Sequence, residues 1–143
     1  MISNSSKYVI KAVLFLAINS SEENKIMVKD IANPINVPQA YIAKLLQELA
    51  KRKLISSTRG PKGGFYLSEE DKERNIMDIV SVIDGEKKLN ACLLSLEYCN
   101  ENNPCPVHHL ISKSRTTLMK NLKQKTINEL AIDVINGKSA LPL

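Results

Sequence analysis

One stretch constrains the fold of this chain more than any other: Val28 to Leu67, reading VKDIANPINVPQAYIAKLLQELAKRKLISSTRGPKGGFYL. Two short helical patterns flank a tight turn, and a glycine-rich segment ending on aromatics follows. In the second pattern Ile42, Leu45, Leu46 and Leu49 recur at i, i+3, i+4 and i+7 and line one helical face. Gln39, Ala40, Ala43, Lys44, Gln47 and Lys51 occupy the other face. Pro38 suits the first turn, where its missing N–H costs nothing, and it holds Val37 extended. Upstream, Val28, Ile31 and Ala32 form a short apolar stripe, and Asn33 to Val37 supply the turn. Pro34 cannot sit deep in a helix, so the first helix of the pair is expected to end by Asn33.

After Leu54, Ile55 to Thr58 and Phe65 to Leu67 are apolar or β-prone, with Arg59-Gly60-Pro61-Lys62-Gly63-Gly64 between them. This predicts a hairpin whose tip offers little side chain beyond two cations. A helix-turn-helix followed by such a wing is expected to read double-stranded DNA in two places. Pro38, Gln39, Ala40, Tyr41, Ala43 and Lys44 form the reading end of the second helix. Arg59, Gly60, Lys62, Gly63 and Gly64 form a flat positive tip suited to the minor groove, whose negative potential attracts arginine. Tyr41 suits either packing or a phosphate or base contact. The plain alternatives are an ordinary turn and a solvated basic face. Against them stands the charge distribution: ten Lys/Arg face four Asp/Glu in residues 1–67, but ten face eleven in residues 68–143. The positive charge travels with the helix pair and wing, as phosphate binding requires.

The apolar run Tyr8 to Ile18 is expected to be a first helix, capped by Ser5 or Ser6 and buried between neighbours. A signal peptide is the weaker reading, because Lys11 interrupts the run, no A-x-A cleavage signal follows, and the stretch is too short to span a bilayer. Asn19 to Lys25 reads as a polar loop and Ser68 to Asn75 as a charged connector. Asn75 caps a short helix carrying Ile76, Ile79, Val80 and Ile83, closed by Gly85. Pro106 opens the longest helical pattern, whose stripe of Val107, Leu110, Ile111, Leu118, Met119 and Leu122 calls for a cover. A second copy of the same helix is the economical one. Thr126 with Glu129 forms a capping box for a last helix, stopped at Gly137. The expected architecture is mainly α with a small β-hairpin wing. Residues 1–85 form the winged helix-turn-helix, 86–105 a cysteine-containing sensor loop, and 106–143 the dimerisation and C-terminal helices.

Cys92, Cys99 and Cys105 are spaced C-x6-C-x5-C, with Pro104 and Pro106 around the third and His108 and His109 close behind. An odd cysteine count without a convincing export signal points to a reducing cytoplasm. Thiols and an imidazole gathered in one loop suit a soft metal centre, an iron-sulfur cluster or zinc. Zinc sites usually show a tight C-x2-C pair, which is absent here. His109 reads as a solvated helix residue.

On these residues the chain resembles the Rrf-two family of winged-helix bacterial regulators, and within it the group that carries an iron-sulfur cluster. The resemblance rests on Tyr8 and Ala12, Ile31-Ala32, Tyr41, Leu45 to Leu49, the wing from Arg59 to Phe65, Asp78-Ile79-Val80 and the three cysteines, and it runs essentially end to end. It implies a homodimer on the long helix, a pseudo-palindromic operator and sensing through the cluster. Cys92, Cys99 and Cys105 would be ligands, His108 would complete a 2Fe-2S site as in IscR-like members, and Arg59 would be the minor-groove arginine. NsrR-like members complete a 4Fe-4S site with an N-terminal aspartate, where this chain has Lys7; the 2Fe-2S form is therefore preferred. Two features depart from the IscR-like pattern. The Cys92 to Cys99 spacing is one residue longer, and Ala43 stands where a glutamate helps select sequence.

The resulting expectation is a cytoplasmic DNA-binding regulator, not an enzyme, that responds to redox state, iron or nitric oxide. The alternatives are a cluster-free regulator using thiol redox or zinc and, from another class, a small iron-sulfur redox protein. The last lacks support, since no substrate pocket, nucleotide loop or acid-base pair is recognisable.

Overall fold

In the computed structural model, which describes residues 2–94 and 99–143, helix α1 (Asn4–Asn19) is the element around which the others gather. Its buried residues Val9, Ala12, Val13, Leu16 and Ala17 recur every three or four positions over a broad face. Against that face pack α2 (Val28–Ile35), α3 (Gln39–Lys51), α5 (Ile76–Leu89), α7 (Ile127–Ile135) and strand β2 (Gly64–Tyr66). The cap of α1 is Ser3, not Ser5 or Ser6; its hydroxyl accepts from the Ser6 N–H at 3.1 Å. A distant partner makes the choice. Asp84 on α5 accepts from the Ser3 N–H at 3.0 Å and from the Ser3 hydroxyl, which fixes where the helix begins.

Helix α2 runs through Pro34 to Ile35 and so outlasts the expected stop at Asn33. The proline removes only the bond its N–H would make to the Asp30 carbonyl, and Asp30 is exposed, so water can satisfy that oxygen. The helix ends instead at Asn36, held left-handed at φ 59° and ψ 54°. On α3, Ile42, Leu46 and Leu49 are fully buried and Leu45 partly so, which is the face expected.

The wing is β1 (Ser56–Thr58) paired antiparallel with β2, with Ser57 opposite Phe65. A further residue joins it, unforeseen from sequence. The Ile26 N–H donates to the Phe65 carbonyl at 2.9 Å, and the Phe65 N–H to the Ile26 carbonyl at 2.8 Å. That approach requires Gly64, because a Cβ there would stand 2.7 Å from the Ile26 carbonyl oxygen. The expected connector after the wing contains a helical turn, α4 (Glu69–Lys72), with a Ser68–Asp71 capping box. Asp71 also accepts from the Ser56 hydroxyl at 2.7 Å, tying this turn to the foot of the wing.

Helix α5 begins after its cap Asn75, as expected, and Asp78 completes a capping box there that was not foreseen. Gly85, at φ 76° and ψ 156°, breaks it, and helical backbone resumes to Leu89 rather than stopping. Helix α6 (His108–Gln124) is the longest; Met119 and Leu122 pack onto the core while Leu110, 73% exposed, turns away from it. Thr126 and Glu129 cap α7, which ends before Gly137 as expected. The Ile127 N–H donates to the Arg74 carbonyl at 2.8 Å and Ile127 and Ala131 are buried, so α7 completes the core beside α1. The fold is mainly helical with one small hairpin.

Candidate nucleic-acid interface and metal centre

The solvent face of α3 presents Gln39, Ala40, Tyr41, Lys44, Gln47 and Lys51, with Pro38 at its cap and Ala43 half-buried. Tyr41 is 37% exposed: its ring stands edge-on to Tyr8 at 6.2 Å, and its hydroxyl is 2.5 Å from Ser5 Oγ. One side of the ring is therefore packed on α1 and the other is open. At the wing tip, Gly60-Pro61-Lys62-Gly63 forms a β-turn closed by the Gly63 N–H on the Gly60 carbonyl at 2.9 Å. Arg59 and Lys62 are exposed there. Between α3 and the wing lies a groove of about 560 Å³ lined by Gln47, Lys51, Thr58 and Arg59 among others. A second, of about 240 Å³, places Lys29 and Gln39 across from Gly60. Lys29 and Lys51 were not picked out as contact residues from sequence. The signal for Lys51 is its place with Lys44 and Gln47 at helical spacing on the polar side of α3.

The cysteines gather where α5 ends and α6 begins. Cys92 is buried, and its Sγ lies 3.4 Å from Cys105 Sγ. Cys99 Sγ lies 3.3 Å from Nδ1 of His108, the first residue of α6, itself buried. His109 is exposed, its ring edge-on to that of His108 at 5.3 Å. Residues 95–98 of the expected sensor loop lie outside the described residues. The hydrogen bond shared with Cys92 raises the Cys105 thiol above its ordinary value, and burial and the neighbouring Cys92 and Cys99 sulfurs add to the rise. Sulfurs this close disfavour a second negative charge unless a cation neutralises both.

Do these donors fit a metal group? Tetrahedral metal–sulfur bonds of about 2.3 Å put two thiolates on one ion about 3.7 Å apart, and a thiolate and an imidazole slightly closer. The two observed separations fall near those values, and they pair the four donors two by two. Among the described residues no three His, Cys, Asp or Glu side chains form a site for one ion. Two pairs match the demand of a binuclear sulfur-ligated core better than that of a single zinc.

No helix among the described residues is long and apolar enough to cross a membrane. The Rrf2 family model, described as an iron-dependent transcriptional regulator, matches residues 2–133. A chain of Aquifex aeolicus, provisionally named an HTH-type transcriptional regulator, is 33% identical over 130 residues, covering 90% of this chain and 89% of that one. The HTH-type transcriptional regulator IscR of Pectobacterium atrosepticum is 26% identical over 140 residues, covering 98% and 82%. The solved structure of CymR, the global cysteine regulator of B. subtilis, superposes with a TM-score of 0.73 at 24% identity, covering 92% of this chain and 95% of that one.

Proposed function

Because this chain belongs to the Rrf2 family of transcriptional regulators, we propose that it is a cytoplasmic, homodimeric DNA-binding regulator governed by an iron-sulfur cluster on Cys92, Cys99, Cys105 and His108. The observation that carries the cluster reading is the two-by-two pairing of these donors, at 3.4 Å and 3.3 Å. A 2Fe-2S core suits two pairs that include an imidazole. When bound, such a group supplies metal–thiolate bonds that respond to oxidants, iron supply and nitric oxide. Everything else is the work of the chain. Pro38, Gln39, Ala40, Tyr41, Ala43 and Lys44 meet one groove of a pseudo-palindromic operator, and Arg59, Gly60, Lys62, Gly63 and Gly64 enter the neighbouring one. Cys92 follows α5 and His108 opens α6, so the donors clamp the two helices together. Since α5 packs against α3 as well, release of the clamp is transmitted to the reading helix, and α6, with Leu110 outward, meets its copy.

The test is anaerobic purification with visible absorption and with iron and sulfide assays, on wild type and on C92A, C99A, C105A and H108A. The expected outcome is a coloured wild type whose metal and sulfide are lost in each cysteine variant, and a different operator affinity before and after cluster removal. Colourless wild type after anaerobic reconstitution, or identical affinities in both states, refutes it.

A second reading is favoured by the same sulfur contact. Cys92 and Cys105 are within a small movement of the 2.05 Å of a disulfide, so a cluster-free regulator could register oxidants by losing two electrons and two protons from this thiol pair. Peptide mapping of oxidised metal-free protein separates the readings: a Cys92–Cys105 link with an altered operator affinity supports the second.

A further inference from the structure

The first turn of α1 touches both the end of α5 and the reading end of α3, through polar contacts that neither the core nor the cysteines require. Asp84 is the last residue of α5 before the Gly85 break, and its side chain is 2% exposed. Both of its oxygens go to Ser3: Oδ2 accepts from the Ser3 N–H at 3.0 Å and Oδ1 from the Ser3 hydroxyl. Beyond the break, Lys88 Nζ reaches back to within 3.7 Å of Asp84 Oδ1. A carboxylate that takes the backbone and the side chain of one residue fixes its orientation as well as its position. From Ser3 the turn is tied internally, since the Ser6 N–H donates to Ser3 Oγ and the Lys7 N–H to the Ser3 carbonyl, both at 3.1 Å. Two positions after Ser3, Ser5 Oγ lies 2.5 Å from the hydroxyl of Tyr41, in the first turn of α3. One turn further along α1, the Tyr8 ring stands edge-on to Tyr41 at 6.2 Å.

We infer that Asp84 and Ser5 are positioning residues for Tyr41: the start of α1, anchored at Asp84, aims the Tyr41 hydroxyl at a DNA phosphate. Phosphate oxygens only accept, so Tyr41 must donate its single hydroxyl hydrogen to reach one. Ser5, donating to the Tyr41 oxygen, leaves that hydrogen free for the open side of the ring. With the ring held by Tyr8 and the hydroxyl by Ser5, Tyr41 meets DNA with both side-chain torsions already set and loses little freedom on binding. The same contacts form a second route to the reading helix, beside the packing of α5 on α3. A displacement of the chain between Gly85 and Cys92 acts on Asp84 through the backbone and Lys88, turns Ser3, and carries Ser5 with it. The functional consequence rests on the reading of Tyr41 as a DNA contact; the dependence of the Tyr41 orientation on Asp84 and Ser5 does not.

The test uses full-length protein carrying 3-fluorotyrosine, in which the Tyr41 fluorine resonance is assigned by its loss in Y41F. Without DNA, S5A and D84N are expected to move that resonance, and S5T, which keeps the hydroxyl, to leave it at its wild-type position. Operator affinity, read by fluorescence anisotropy, is expected to fall roughly 2–12-fold in Y41F, the loss of one hydrogen bond. S5A and D84N should each weaken binding by a factor in that range, and neither should weaken it further when added to Y41F. A merely structural role for Ser5 or Asp84 gives the opposite, losses that multiply with that of Y41F. The inference is overturned by an unmoved Tyr41 resonance in S5A or D84N, by failure of S5T to keep it in place, by wild-type affinity in Y41F, or by multiplying losses. If wild type binds no operator, the DNA reading of α3 fails, while the fluorine result still decides whether Asp84 and Ser5 orient Tyr41. Should D84N fail to fold, S3A, which removes the hydroxyl between Asp84 and the first turn, takes its place with the same outcomes.

Discussion

Replacing Arg59 by Ala tests the DNA reading where it is most open to failure, at a side chain on the tip of the wing that contributes nothing to the core. Lys44, Lys51, Arg59 and Lys62 are exposed on α3 and the wing, and Lys51 and Arg59 share one groove. If each meets a phosphate, the log–log salt slope of one head is about −3.6, since each neutralised phosphate contributes about −0.9. Two heads give about −7. Raising salt from 50 to 200 mM then lowers affinity about 150-fold for one head and about 20,000-fold for two. Removing Arg59 flattens the slope by about 0.9 per head and costs roughly fivefold in affinity per head at 0.15 M salt, about 30-fold for the pair. The assay is fluorescence anisotropy on operator DNA across a salt series, with R59K as a control that retains the charge and therefore the slope. An R59A slope equal to that of wild type refutes the placement of the wing on the phosphates.

Gly64→Ala places a methyl group 2.7 Å from the Ile26 carbonyl oxygen, a clash with backbone that no rotamer relieves. The expected cost is about 2–3 kcal/mol, confined to the wing: faster amide exchange at Ile26 and Phe65 and weaker DNA binding, with helical circular dichroism unchanged. Unaltered exchange at those amides contradicts the account. At Asp84, burial alone would raise the carboxyl, but the Ser3 hydroxyl and N–H, Ser6 and Lys88 outweigh it and hold it below its ordinary 3.8. The stability this contributes is present above pH 3.8 and is lost as pH falls through the lower folded value. Acid titration of unfolding should therefore be steeper for wild type than for Asp84→Asn in that window, and equal slopes would rule the clamp out.

What was legible in the sequence was local. Asn75 as the cap of α5 and Thr126 with Glu129 as a capping box are set by a few neighbouring residues, and both hold; Asp78, which completes a box with Asn75, and the Ser68–Asp71 box, hidden in a run of charge, were not read from the sequence. The wing was readable because its turn residues are their own signal. Features set by distant partners were not. Ser3 became the α1 cap because of Asp84, and Ile26 became a strand residue because of Phe65. The inward side of α6 was misleading for another reason: His108 and Arg115, both polar, are buried there, while Leu110 is not. A hydrophobicity pattern cannot find a face built on imidazole and guanidinium. The four cysteine-centre donors were named from spacing and resemblance, but their pairing depends on how α5 and α6 meet.

The docking of α7 against α1 has a consequence for biogenesis. Ile127 and Ala131 complete a core whose other side, Val9 to Ala17, leaves the ribosome more than a hundred residues earlier. At synthesis rates of about 5–20 residues per second, the reading helix waits some 4–15 seconds after Lys51 emerges before α7 can cover its neighbour. During that interval the nascent head has an uncovered greasy flank, so chaperone dependence and vulnerability to proteases should peak late in translation, and premature termination before Ile127 should yield a species destined for degradation.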